Sequence, residues 1–254
     1  MTDVTARAGG PAAPPHTLVD VARTWGLVLG AELARGPHGR VVEATTEDGT
    51  RAVLKVATTG VRWEATALLA WRGVGAPALL RHDPSAGALL LERIVPGTPP
   101  DGTSADDVAP LLHNLHVAAP DEVPPLAEVV RQRLARAAEE RRAPAQKIAW
   151  AQDALDELEQ DAPPPVLLHG DLDDRNLLAC ARRGLCAVGP RPCAGDPAYD
   201  AGTWVHGSRR PGRRARLDAI VAATGLPRER VRDWAAVVGV HAHQGRPARS
   251  AGGV

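Results

Sequence analysis

Two apolar triplets, Val166-Leu167-Leu168 and Leu177-Leu178-Ala179, enclose the polar run His169-Gly170-Asp171-Leu172-Asp173-Asp174-Arg175-Asn176. A carboxylate and a carboxamide on one loop between two short strands suit phosphoryl transfer. Asp171 can accept the proton of an attacking hydroxyl, and the side-chain oxygen of Asn176 can ligate a magnesium ion. The plain alternative is a polar turn that happens to collect His, Asp and Asn; the order of these residues between apolar triplets favours chemistry.

Lys55 is the second piece. It lies inside the apolar run Arg51–Ala57, where an ammonium is costly unless it meets an anion. Glu64, on the helical segment that follows, can supply that anion. Taken alone, Lys55 would be an edge-strand lysine pointing to water; the loop at 169–176 shifts the balance. Lys55 and Lys147 are the only lysines in a chain whose other cations are arginine. The third piece is the extended run Leu89–Gly97, in which Glu92, Arg93 and Ile94 offer backbone groups to an adenine edge. Without its position in the chain it is merely a strand leading to a turn.

The elements that must hold these residues follow from the hydrophobic pattern. A short helix is expected within His16–Leu29. Strands follow at Val28–Ala34, Arg40–Thr45 and Arg51–Ala57, joined by turns at 36–39 and 47–50. These strands form an antiparallel meander, followed by a helix over Trp63–Trp71 and strands at Ala78–Arg81 and Ala88–Leu91. After Pro96-Gly97 helical patterns take over, at Ala105–His116, Leu126–Arg142 and Lys147–Gln160, the last stopped by Pro163–Pro165. The loop's flanking strands and a third at Leu185–Val188 come next, and helices near Arg213–Thr224 and Pro227–Gly239 close the chain. Strands first and helices second imply two lobes. The expected division is a flexible leader 1–15, a first lobe with hinge 16–95, a second lobe 96–244 and a loose tail 245–254.

Composition excludes some classes. The 254 residues are 44% hydrophobic, enough for two modest cores, and 30 basic residues balance 30 acidic ones, so no polyanion partner is indicated. Three cysteines without a C-x-x-C spacing point to a reduced cytoplasm and against a zinc site or disulfide framework. No apolar run reaches membrane-spanning length. His113 and His116 have helical spacing but no evident acidic or cysteine partner, so they read as surface or packing residues, and His241 and His243 carry less weight still. The basic run 208–216 has no aromatic platform and reads as a solvated helix start rather than a nucleic-acid surface. Leu155 and Leu158 read as core packing rather than a dimer seam.

Taken together, these motifs resemble the aminoglycoside phosphotransferase superfamily, which shares the protein-kinase fold. Within it they are most similar to the streptomycin 6-kinase and hydroxyurea phosphotransferase branch. The likeness runs from about Trp25 to Trp234. It includes the turn Trp71-Arg72-Gly73-Val74-Gly75, the segment Leu90-Leu91-Glu92-Arg93, His169-Gly170-Asp171 with Asn176, and Gly195-Asp196-Pro197-Ala198-Tyr199-Asp200. The resemblance implies an α+β, two-lobed kinase-like fold with ATP and magnesium between the lobes. Lys55 would hold the phosphates and be oriented by Glu64, with the hinge at Glu92, Arg93 and Ile94. Asp171 would be the catalytic base and Asn176 a magnesium ligand, with His169 and Asp200 supporting the loop. The reaction would carry the γ-phosphate of ATP to a hydroxyl of a small antibiotic.

One position departs from the pattern. Relatives in this branch carry Ile-Asp-Pro-Lys-Pro after the loop, and the Asp binds magnesium. Here the run is Val188-Gly189-Pro190-Arg191-Pro192, and glycine offers no ligand. Losing that carboxylate is expected to cost about three orders of magnitude in rate, leaving a nucleotide-binding pseudokinase as the alternative. Asp196, Asp173 and Asp174 are the carboxylates near enough in sequence to substitute. Asp173 and Asp174 also make the loop acidic, which suits a cationic acceptor. Gly39 stands where relatives often carry Ser in the phosphate-covering turn.

Overall fold

The computed structural model describes residues 17–36, 39–207 and 212–242. The expected leader and tail, Pro37 and His38 of the first turn, the start of the basic run at 208–211, and His243 lie outside these residues.

The first helix, α1 (Leu18–Trp25), starts where the Thr17 and Asp20 side chains cap each other's backbone amides and stops at Gly26, whose φ of 64° ends the helical path. Strands β1 (Val28–Gly36), β2 (Gly39–Thr45) and β3 (Arg51–Ala57) form the meander. Helix α2 (Val61–Trp71) and strands β4 (Leu79–Asp83) and β5 (Ala88–Glu92) follow. All five strands join one antiparallel sheet in the order β1-β2-β3-β5-β4. Lys55 therefore lies on a central strand, opposite Val41 on one side and Leu89 on the other. Leu18, Val21, Val42, Leu54 and Leu90 pack α1 against this sheet.

The second part is mainly helical. Helices α3 (Ala105–Leu115), α4 (Leu126–Glu139) and α5 (Ala145–Gln160) precede four short strands, β6 (Val166–Leu168), β7 (Leu177–Cys180), β8 (Gly184–Ala187) and β9 (Cys193–Gly195). Helices α6 (Ala198–Gly207), α7 (Arg213–Thr224) and α8 (Arg228–His241) complete it. Strand β6 pairs with β9 and β7 with β8, so the polar loop hangs between two two-stranded ribbons. Leu155 and Leu158 are in the core, as the pattern predicts. The same core runs from the second part into Val61, Leu68 and Trp71 of α2.

Two elements escape the periodicity, β9 and α6. Helix α6 is buried from Ala198 through Val205, so it shows no polar stripe and no amphipathic period. Gly202 in its middle lies against α8; a Cβ there would come within 2.8 Å of the Ala235 backbone nitrogen. The residue that weakens the helical signal is the one that lets the two helices touch.

Two further expectations need adjusting. Arg216, in the basic run, is buried and donates to the Val205 carbonyl, so it acts as a structural cation between α7 and α6. His241 is likewise buried at the end of α8, where burial lowers its pKa to about 3. Among the described residues no helix is long and apolar enough to cross a membrane.

Candidate active site

The loop at 169–176 is assembled around a buried carboxylate. Asp200, on the first turn of α6 and without solvent exposure, accepts the backbone amides of His169 and Gly170 at 2.8 Å each, and His116 Nε2 lies 3.2 Å from its Oδ2. Burial by itself would raise the pKa of Asp200. The His116 hydrogen bond and the Gly170 amide outweigh it and hold the carboxyl below the ordinary range. His116 is thus a polar support of the loop and not the bystander its helical spacing suggests. Its partner lies far away in the chain, which no local spacing reveals.

Gly170 is gripped from the other side too. Arg133 of α4 donates to the Gly170 carbonyl at 3.0 Å and to the Tyr199 hydroxyl at 2.6 Å. Sequence reasoning passed over Arg133. It falls on the helix stripe of buried Val130, Leu134 and Ala137, where an arginine has no reason to be unless it meets polar groups. Gly170 itself has φ of 75°, and a Cβ there would lie 2.0 Å from the Arg191 carbonyl. No other residue fits.

Held in this way, the loop presents Asp171 with its side chain 31% exposed. The Asp171 amide donates to His169 Nδ1 at 3.3 Å, and its carbonyl accepts from Asn176 Nδ2 at 2.6 Å. His169 is fully buried, stacked on Trp71 with ring centroids 6.3 Å apart, and burial pushes its pKa down, keeping it neutral. The Arg191 Nε lies 3.6 Å from Asp171 Oδ2.

On the sheet side, Lys55 Nζ meets Glu64 Oε2 at 2.5 Å, with Glu64 almost fully buried. The side chains of Glu92, Arg93 and Ile94 are occupied within the chain. Glu92 accepts from the Ala78 amide at 3.1 Å and from Arg183 Nη2 at 2.7 Å. Arg93 donates to Glu43 at 2.8 and 3.1 Å, and Ile94 is buried against Cys180 and Cys186. Any contact from this segment to a ligand therefore falls to its backbone. Arg183, on the β7–β8 turn, also donates to the Gly73 carbonyl in the turn after α2.

The remaining carboxylates are committed. Asp173 is buried and accepts from the Arg175 amide at 2.8 Å and from its guanidinium at 3.0 Å. Asp174 accepts the Thr103 hydroxyl at 2.8 Å, and Thr103 in turn accepts from Trp204 Nε1 at 3.0 Å. Asp196 accepts from Arg230 Nε at 2.7 Å and Trp234 Nε1 at 2.8 Å, which turns it toward α8.

Gly189 has φ of 67°, and among the described residues, chain neighbours aside, the one atom within 4 Å of a Cβ built there is Asn176 Oδ1, at 3.6 Å. A side chain at 189 would thus point at the Asn176 carboxamide, with room around it. As the chain stands, Asn176 offers one neutral oxygen at this spot. Among the described residues no three His, Cys, Asp or Glu side chains gather to hold a metal ion. Magnesium is ordinarily held by one or two carboxylates together with substrate phosphates. The residues present do not make such a site.

Known proteins show where the arrangement belongs. The family model described as aminoglycoside/hydroxyurea antibiotic resistance kinase matches residues 24–245. A hydroxyurea phosphotransferase from Kitasatospora aureofaciens is 33% identical over 92% of this chain and 75% of its own length. A streptomycin 6-kinase from Streptomyces glaucescens is 31% identical over 88% of this chain and 80% of its own. Among solved structures, the choline kinase LicA from Streptococcus pneumoniae superposes with a TM-score of 0.63 at 17% identity, covering 87% of each chain. A thermostable mutant of an aminoglycoside phosphotransferase does so with a TM-score of 0.56 at 16% identity, over 87% of this chain and 88% of its own. At such identities the structures speak for the fold, an antiparallel sheet lobe beside a helical lobe. The family follows from sequence matched along most of the chain, and this chain belongs to the aminoglycoside/hydroxyurea antibiotic resistance kinases.

Proposed function

We propose that this chain transfers the γ-phosphate of ATP to a hydroxyl of a small antibiotic-like molecule. The observation that carries the reading is the state of Asp171. It is the partly exposed carboxylate of a loop whose backbone is fixed on one side by Asp200 and on the other by Arg133. A carboxylate so placed takes the proton of an acceptor hydroxyl as that oxygen attacks phosphorus. Lys55, oriented by Glu64, holds the phosphates, and the backbone of Glu92, Arg93 and Ile94 meets the adenine. Preorganisation of this kind matters because phosphoryl transfer depends on positioning and charge more than on covalent chemistry.

A cationic acceptor of the streptomycin kind is the finer reading. It rests on Asp171, because Asp173 and Asp174 already answer to Arg175 and Thr103. Exchanging Asp173 and Asp174 for Asn without weakening streptomycin binding removes the pair from it, and Asp171→Asn without weakening that binding removes the reading altogether.

The test of the reaction is transfer of labelled γ-phosphate from ATP to streptomycin, hydroxyurea and several aminoglycosides, with a Gly189→Asp chain alongside. Product from the natural chain supports a working phosphotransferase. A second reading, a nucleotide-binding protein with little or no transferase activity, draws on Gly189 and the committed carboxylates around it. Product from the Gly189→Asp chain alone would favour that reading, and product from neither would count against both the reaction and these acceptors.

A further inference from the structure

We infer that this chain binds its nucleotide triphosphate without a protein-held divalent ion, so that magnesium does not tighten its hold on ATP. The inference rests on the reading of the chain as a nucleotide-binding kinase and adds how the phosphate charge is met.

The first support is the direction in which Gly189 faces. Among the described residues, and apart from its chain neighbours, the space at its absent side chain opens on Asn176 Oδ1 alone within 4 Å. Position 189 itself brings a metal no carboxylate, and the oxygen it faces is uncharged. The second support is that no neighbouring carboxylate is available to move in. Asp173 is closed onto Arg175, Asp174 is held by Thr103, and Asp196 is turned to Arg230 and Trp234. Asp171 has Arg191 beside it at 3.6 Å. Drawing any of the first three into a metal shell would break hydrogen bonds that are buried or partly buried, and a buried donor left without its charged acceptor is costly.

The third support is the sign of the charge that remains. The segment 188–192 carries one cation, Arg191, and no carboxylate. Fixed guanidinium and ammonium groups neutralise phosphate oxygens directly, without an ion as intermediary. Lys55, paired with Glu64, and Arg191, 3.6 Å from Asp171, are the cations this region offers to a phosphate. Magnesium that accompanies ATP from solution then gains no new ligand of consequence on binding, and by cancelling part of the phosphate charge it adds nothing to the attraction of these cations.

The experiment is equilibrium binding of ATP and of a methylanthraniloyl-ATP probe to the full chain, in excess magnesium and in excess EDTA. For the natural chain, magnesium should leave the dissociation constant unchanged or raise it. The Gly189→Asp chain should bind about tenfold or more tightly with magnesium than without, because aspartate tolerates the left-handed backbone and would face Asn176. Tightening of the natural chain by about tenfold on adding magnesium would overturn the inference while leaving the kinase reading intact. Failure to bind nucleotide under either condition would remove both. A Gly189→Asp chain that folds, by circular dichroism, yet gains no magnesium dependence would overturn the assignment of the effect to position 189. If that variant does not fold, the comparison on the natural chain decides alone.

Discussion

Asp200 Oδ1 accepts the Gly170 amide at 2.8 Å while the carbonyl of the same glycine accepts from Arg133 at 3.0 Å, so the residue before Asp171 is held through both of its backbone polar groups. Removing Asp200 leaves two buried amides and a histidine without their acceptor. Asp200→Ala is expected to cost about 3–5 kcal/mol of stability, and Asp200→Asn, which keeps the shape and one acceptor oxygen, about 1–3 kcal/mol. Urea unfolding of the three chains checks the order. Equal stability across them would mean that the loop is supported elsewhere.

Two glycines with left-handed backbone should respond differently to alanine. At Gly170 the new methyl would meet the Arg191 carbonyl at 2.0 Å, whereas at Gly189 its nearest contact is an ordinary 3.6 Å. Gly189→Ala should cost about 1 kcal/mol from backbone conformation alone, and Gly170→Ala several times as much or loss of folding. Thermal midpoints measured side by side read the difference, and similar losses at both positions would contradict the described backbone.

Lys55 and Glu64 form a pair whose acid is buried. Lys55→Met should weaken ATP binding by about tenfold or more. It should also lower stability by about 1–3 kcal/mol, because Glu64 is left without its counter-ion. The double change Lys55→Met with Glu64→Gln should recover stability but not ATP affinity. Recovery of both would show that Lys55 acts through the fold alone.

Acid should weaken the fold before the carboxylates titrate. Burial lowers the pKa of His169, of His206 (helped by Arg213 and Arg216) and of His241, the last to about 3. Their folded values lie below the unfolded value of about 6.5, so the unfolded chain binds more protons between them. Stability is then full above about pH 6.5 and falls as the pH drops toward the folded values. At about pH 5.5 His241 alone should account for about 1 kcal/mol, and His241→Met should lessen the acid loss by that amount. Urea midpoints at the two pH values test it; a chain more stable in acid would sink the argument.

Much of the arrangement was legible in the sequence because it is local. The meander, the Pro-Gly junction and the helices α3 to α5 announce themselves through period and turn residues, and the loop through its order of polar types. Helix α6 did not, since it is buried on every side and carries Gly202 for contact with α8. His116 and Arg133 were invisible as loop supports for a related reason. Their partners, Asp200, Tyr199 and Gly170, come from other parts of the chain, and only the fold joins them. Asp173 and Asp174 looked free because acidity can be read from a sequence, whereas the pairing that cancels it cannot.

Arg183 touches the Gly73 carbonyl in the turn after α2 and Glu92 at the end of β5, while itself belonging to the β7–β8 ribbon. A single guanidinium therefore staples the rear of the molecule, like the binding of a book. Pages so bound keep their order at the spine, and here the guanidinium shares that seam with the core that joins α2 to the helices.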